Sequence, residues 1–324
     1  MCTVITYATK NHYFGRNLDL ELSYNETVTV TPRNYVFSYR HVDEKKANLA
    51  LIGMATVVDQ YPLYYDATNE KGLSMAGLNF PANADYKPVE TGKVNIASFE
   101  LIPWLLTQCE TVEDVKAKMK DVNITNTAFS EQLPPSPLHW MVSDRNQSIV
   151  IEAVADGIHI YDDPVGVMTN NPTFDKQLFN LNNYRYLSNR TLPETFAPGL
   201  PLDEYSRGMG GMGLPGDLSS ASRFVKVAWT KMNSVSGDSE SESISQFFHI
   251  LGSVDQQRGC CEVAPEQYEI TIYSSCVNVD KGIYYYTTYE NSQITAVDMH
   301  KENLDGDTII TYPLIKGQQI HYCN

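Results

Sequence analysis

The chain has 324 residues, 42% of them hydrophobic and 19% charged, with 24 Lys and Arg against 39 Asp and Glu for a formal charge of −15. That acidity excludes nucleic-acid binding, because affinity for a phosphate backbone comes from basic side chains that displace counterions. No apolar stretch reaches the roughly 20 residues that cross a bilayer and no secretory signal opens the chain, so the expectation is a cytoplasmic protein without membrane contact.

The first part reads as strands. CTVITYA, YFGRNLDL, ETVTVTP, YVFSYR, LALIGMATVV and GLSMAGLN are short and rich in β-branched or aromatic residues. Turn-like breaks at Lys10-Asn11-His12, Pro32-Arg33-Asn34 and Asn69-Glu70-Lys71-Gly72 separate them. A helix follows around FELIPWLL, and a second begins at Thr111, where Thr111 and Asp114 have the spacing of a capping box. LHWMVSD, SIVIEAV and GIHIYD read as a strand meander. The middle turns helical at NPTFDKQLFNLNNYRYL, ASRFVKVAWTKMN and ISQFFHILGSV, and the end returns to strands with YEITIYSSC, GIYYYTTYE, QITAVDM and TIITYP. Strands in sequential runs with helices clustered between them predict an α+β fold of two antiparallel sheets with helices packed outside. No repeat, charge block or low-complexity linker marks a boundary, so residues 1–324 read as one domain.

Two short matches fail on context. Gly208-x-Gly210-x-x-Gly213 has dinucleotide-binding spacing, but the preceding segment is polar and Pro215 falls where the phosphate-binding helix should start. Gly72-Leu73-Ser74-Met75-Ala76 lacks the last glycine of a nucleophile elbow and sits in strand pattern. The seven histidines have no metal-ligand spacing, so no metal is expected.

Cys2, Cys109, Cys260, Cys261, Cys276 and Cys323 are scattered without a C-x-x-C, which fits small buried apolar residues rather than a disulfide framework. Cys2 is the exception. Removal of Met1, which a small second residue permits, leaves a thiol and a free α-amine on one residue. Their unperturbed pKa values are about 8.5 and about 7.7–8.0, so the amine can take the thiol proton near neutral pH. Such a site needs a carboxylate for the amine, a cation that favours thiolate, and donors for an oxyanion. Arg16 and Asp19 lie on the strand expected to pair with the Cys2 strand.

The start Met-Cys-Thr, followed by FGRNLD, TPRNY, DQYP, NEKGLSMAGLNFP, LHWMVSD, GVMTNNPTFD, GLPGD, SASRF, QFFHIL and KGIYYYTTYENSQITAVDMHKENLDG, resembles the choloylglycine hydrolases, most of all bacterial bile salt hydrolases. The likeness covers essentially the whole chain. It implies the four-layer αββα sandwich of N-terminal nucleophile hydrolases and amide hydrolysis through a Cys2 thioester, with no cofactor. By resemblance, Asp19 holds the α-amine, Arg16 supports the thiolate, and Arg223 is the second site arginine. The Asn79 backbone N–H and the Asn170 side chain take the oxyanion roles, and relatives are commonly homotetramers.

The substrate implied is a glycine- or taurine-conjugated bile salt. Penicillin V acylases share the family but often carry Tyr where this chain has Asn79. A steroid needs an apolar pocket, and Leu18, Tyr61, Tyr65 and Phe129 are candidate walls. Ser206 and Arg207 lie in the loop associated with glycine-versus-taurine preference, where an arginine resembles the taurine-tolerant version. The rival readings are a penicillin V or other N-acyl amidase, and a non-catalytic β-rich binding protein with an incidental Cys2.

Overall fold

Side-chain alternation sorts the apolar runs into two cores. In the computed structural model, which describes residues 1–197 and 199–324, Trp140, Val142, Ile149 and Ile151 enter one buried cluster. Met141 and Val150, the residues between them, enter another. A strand covered on both faces reads as a continuous apolar run, which is why LHWMVS and SIVIEAV carry so few polar breaks.

The strands of the two large sheets are β1 (Cys2–Ala8), β2 (His12–Leu20), β3 (Thr27–Thr31), β4 (Leu51–Val58), β5 (Tyr61–Asn69), β6 (Ser74–Asn79), β7 (Leu138–Ser143), β8 (Ser148–Val154), β9 (Gly157–Asp162), β10 (Val167–Met168), β11 (Ile270–Asn278), β12 (Ile283–Thr288), β13 (Asn291–Asp298) and β14 (Ile310–Pro313). A six-stranded sheet runs β10-β1-β2-β11-β12-β13, and an eight-stranded sheet runs β9-β8-β7-β6-β5-β4-β3-β14. Every pairing within both is antiparallel. The sheets stack with β1 and β2 against β6.

Helices α1 (Leu101–Leu106) and α2 (Val112–Met119) share the outer core of the eight-stranded sheet. Helix α3 (Phe174–Asn180) follows β10, and α4 (Ser220–Asn233) and α5 (Glu240–Gly252) cover β1 from the other side. The four layers are αββα, as the resemblance implied. The capping box of α2 forms with Thr111 and Asp114, and Ser239 and Glu242 form a second on α5. Helix α4 turns Phe224, Val227 and Ala228 inward at helical spacing. Phe224 and, on α5, Phe247 are fully buried, each contributing about 2–3 kcal/mol by area.

The helix expected from Asn171 to Leu187 is shorter: α3 ends at Asn180 and a 3-10 turn covers Leu181–Tyr184. Asn180, Asn182 and Asn183 are poor helix formers whose side chains bond locally instead. Of YVFSYR only Val36–Phe37 is strand. Strand β10, two residues long, was not foreseen; so short an element has no readable periodicity.

Candidate active site

The turn after β1 sets the register that builds the site. Cys2 lies opposite Leu18 and Val4 opposite Arg16, so Cys2, Leu18 and Arg16 share the face turned toward the eight-stranded sheet. Asn17 and Asp19 alternate to the helix side. There Asn17 Nδ2 donates to Leu251 O (3.2 Å) and to Asp255 Oδ1 (2.8 Å). On the far edge of β1, Val4 faces Met168. Two residues beyond, Asn170 therefore comes opposite Cys2.

Asn170 is the hub. Its Oδ1 accepts the Cys2 backbone N–H (2.7 Å) and Arg223 Nη2 (2.8 Å), while its Nδ2 donates to Asn79 O (2.6 Å). These partners fix the amide orientation, since the acceptor faces two donors and the donor faces a carbonyl. Arg223, fully buried on the first turn of α4, also donates to Cys2 O (2.6 Å), Thr3 Oγ1 (2.6 Å) and Leu218 O (3.0 Å). Its Nη1 lies 3.9 Å from Asp19 Oδ2. Thr271 Oγ1 donates to Asp19 Oδ1 (2.7 Å), and Oδ2 has no hydrogen-bond partner among the described residues. Met1 precedes Cys2, its ammonium donating to Asp19 O (2.7 Å) and pairing with Glu269.

Arg16 fills a split in the eight-stranded sheet. Pairing of β5 with β6 stops at Asp66 opposite Ala76. A bulge sits at the same point: Met54 faces Asp66 and Ala55 faces Tyr64, which leaves Tyr65 unpaired. Arg16 Nη1 bonds the two freed carbonyls, Tyr65 O (2.9 Å) and Gly77 O (2.7 Å). Nη2 is buried without a hydrogen-bond partner among the described residues. Asn79 lies two residues past Gly77 on the same edge. The N–H and C=O of one strand residue point the same way, so the Asn79 N–H points toward the side on which its carbonyl meets Asn170. Its neighbour Phe80 bonds the other way, to Pro137 O (2.7 Å).

Burial governs the charges. It pushes the Asp19 carboxyl upward against the opposing pull of Arg223, and it lowers Arg223. Burial works against the Arg16 charge too, but Cys2, Tyr273, Asp66 and Asp19 outweigh it and raise its pKa. Asp255 rises to about 6 because it is buried and because Asp19 is near. The site thus sets the Arg16 charge where Cys2 feels it on the sheet side and the Asp19 carboxyl beside Arg223 on the helix side. Among the described residues no group of three His, Cys, Asp or Glu is arranged to hold a metal.

The candidate wall residues divide. Leu18 is buried beside Cys2, and Tyr65 is half-buried with its hydroxyl on Thr56 (2.9 Å) and its carbonyl on Arg16. Tyr61 lies four residues up β5, roughly 13 Å away at the rise of a strand. It packs on Phe129 and Phe99 at centroid distances of 5.7 and 5.9 Å, with the Arg40 guanidinium over both phenylalanines. Ser206 and Arg207 are exposed in the loop before α4, where Ser206 Oγ donates to Arg207 O (3.4 Å). No hydrogen bond or ion pair connects either of them to the Cys2 cluster among the described residues.

Sequence reading did not find Thr3, Thr271 or the Tyr65 carbonyl. Thr271 is 252 residues from the carboxylate it holds, and nothing local marks it.

Comparison with known proteins fits this geometry. Residues 2–312 match the profile of the linear amide C–N hydrolases, choloylglycine hydrolase family. A bile salt hydrolase/transferase of Lactiplantibacillus plantarum is 59% identical over 324 residues, with 100% of both chains covered. The crystal structure of a conjugated bile acid hydrolase variant from Clostridium perfringens superposes with a TM-score of 0.93 at 41% identity, again over 100% of both chains. A penicillin V acylase from Agrobacterium tumefaciens shares the fold, with a TM-score of 0.77 at 20% identity over 97% of this chain and 92% of that one. The chain belongs to the choloylglycine hydrolase family.

Proposed function

We propose that the protein is a bile salt hydrolase that cleaves the amide bond of glycine- or taurine-conjugated bile salts, with Cys2 as nucleophile after Met1 is removed. The observation that carries this reading is the hold on Cys2: its nitrogen sits on Asn170 Oδ1 at 2.7 Å, its carbonyl on Arg223 at 2.6 Å. These two side chains fix the backbone of the residue that would carry both thiol and amine.

In the proposed reaction the freed α-amine takes the thiol proton and Arg16 favours the thiolate. Sulfur attacks the amide carbon, and the Asn79 N–H and the second N–H of Asn170 receive the oxyanion. The protonated amine passes its proton to the leaving nitrogen, the C–N bond breaks, and glycine or taurine departs. Water, deprotonated by the same amine, then cleaves the thioester and regenerates the thiol. Asp19, its Oδ2 unspent, is the group placed to hold the ammonium form. Leu18 and Tyr65 are the wall residues that the geometry favours for the steroid. Tyr61 and Phe129 serve a more distant part of the pocket, and Ser206 and Arg207 reach the conjugate from their loop.

The L. plantarum relative is named a hydrolase/transferase, so an amine that replaces water in the second step is a secondary reading. We also assign a cytoplasmic homo-oligomer, a tetramer by family likeness. No helix among the described residues is long and apolar enough to cross a membrane. Phe196, Tyr205 and Met212, 85%, 79% and 58% exposed, supply apolar surface for another copy to cover. Purified protein incubated separately with taurocholate, glycocholate and penicillin V tests the assignment. Release of taurine or glycine well above penicillin V cleavage supports it, and preferential penicillin V cleavage overturns the substrate while keeping the chemistry.

A further inference from the structure

A carboxylate with no part in the mechanism above lies between the two sheets. Asp66 is 2% exposed, next in sequence to the Tyr65 whose carbonyl holds Arg16. Burying a carboxylate is costly unless hydrogen bonds satisfy it. Here Tyr273 OH donates to Oδ2 (2.7 Å) and Tyr284 OH to Oδ1 (2.8 Å). The two tyrosines come from β11 and β12 of the six-stranded sheet, so the trio ties one sheet to the other. Burial pushes the Asp66 carboxyl upward, and the Arg16 charge and the two hydroxyls pull it back; both oxygens accept a hydroxyl proton, the arrangement that favours the ionised form.

We propose that Asp66, clamped by Tyr273 and Tyr284, is the positioning residue that sets the place and charge balance of Arg16 beside Cys2. The mechanical link is the bulge. Asp66 is the paired residue at its edge, so anchoring Asp66 to the opposite sheet fixes where the Tyr65 carbonyl points, and that carbonyl with Gly77 O holds Arg16 Nη1. The electrostatic link is charge. Asp66 makes no ion-pair contact with Arg16, yet Arg16 is the cation that acts on it, and Arg16 feels Cys2, Tyr273, Asp66 and Asp19. The negative charge of Asp66 tempers the field that Arg16 exerts on the thiol. It also leaves Arg16 with a counter-charge once acylation has neutralised the sulfur.

The inference rests on Cys2 as nucleophile. The ionisable groups that act on the thiol and Arg16 include the Cys2 amine, Asp19, Arg223, Tyr65, Asp66, Tyr273 and Tyr284. The test is the pH dependence of Cys2 alkylation by iodoacetamide, followed on the N-terminal peptide so that the exposed Cys260 and Cys323 do not interfere. Removing the charge in Asp66→Asn stabilises thiolate relative to thiol. The acid limb therefore moves to lower pH by about half a unit, a roughly threefold change in thiolate fraction, while kcat for taurocholate falls and KM changes little. Tyr273→Phe/Tyr284→Phe keeps the carboxyl but withdraws both donors from its charged form, so its limb moves the same way by less; it serves if Asp66→Asn does not fold. An unmoved limb with unchanged kcat and only a lower Tm overturns the proposal and leaves Asp66 a structural residue. A Cys2→Ala protein that still hydrolyses taurocholate removes the nucleophile reading itself, and this proposal with it.

Discussion

Asn170 accepts the backbone N–H of Cys2 at 2.7 Å across 168 residues of sequence, and with the same oxygen it accepts Arg223. The contact locks the strand end that carries the thiol to the loop after β10. Replacing Asn170 with Ala strips Cys2 N, Arg223 and Asn79 of one partner each. On the proposed chemistry it also removes an oxyanion donor, and such losses lower kcat about 10²–10³-fold. Steady-state kinetics on taurocholate should show that fall with KM changed far less.

The split of the fold into readable and unreadable parts follows from range. Alternation along β7 and β8, the hairpin from Cys2 to Leu20 and the Thr111 cap are local, and each was legible in the pattern of neighbouring residues. Arg16 and Asp19 could be placed beside Cys2 because a hairpin register joins them. Asn170 and Arg223 could not be placed by periodicity; only family likeness pointed to them, because they arrive through a two-residue edge strand and a helix N-terminus. The bulge at Tyr65 and the tyrosine clamp on Asp66 depend on sheet stacking, which no single segment encodes.

Arg223 is buried with four partners besides Asp19. Arg223→Met takes from Asp19 its nearest guanidinium and leaves Cys2 O and Thr3 without a donor, and breaking a buried pair in this way costs about 3–5 kcal/mol. Urea unfolding should show that loss, together with abolished turnover.

Gly15 sits where β2 and β11 approach so closely that a Cβ would meet Ser275 O at 2.0 Å. The clash is with backbone, so Gly15→Ala must push the strands apart next to Arg16. Thermal melts should register a destabilisation of about 1–3 kcal/mol or more, and activity should fall with it.

Asp255, raised to about 6 from 3.8, predicts a pH-dependent gain. A carboxyl whose folded pKa lies above its unfolded value adds nothing when both states are protonated, below about 4. Its penalty grows as pH rises between about 4 and 6 and stays constant above. The two units set an upper bound of about 3 kcal/mol. Asp255→Asn, which keeps an acceptor for Asn17 Nδ2, should therefore raise Tm at pH 7.5 and leave it nearly unchanged at about pH 3, below both pKa values. Equal gains at both pH values would show that the charge is not the cause.

The most direct test of Cys2 as a bile salt nucleophile pairs two observations on one preparation. Protein lacking Met1 by mass spectrometry is mixed with taurocholate, and released taurine is compared with that from Cys2→Ala of equal secondary structure and Tm. Taurine release by the parent and none by Cys2→Ala, with a cholyl adduct on the Cys2 peptide after acid quench, is the expected result. Comparable release by both proteins would contradict the assignment of Cys2.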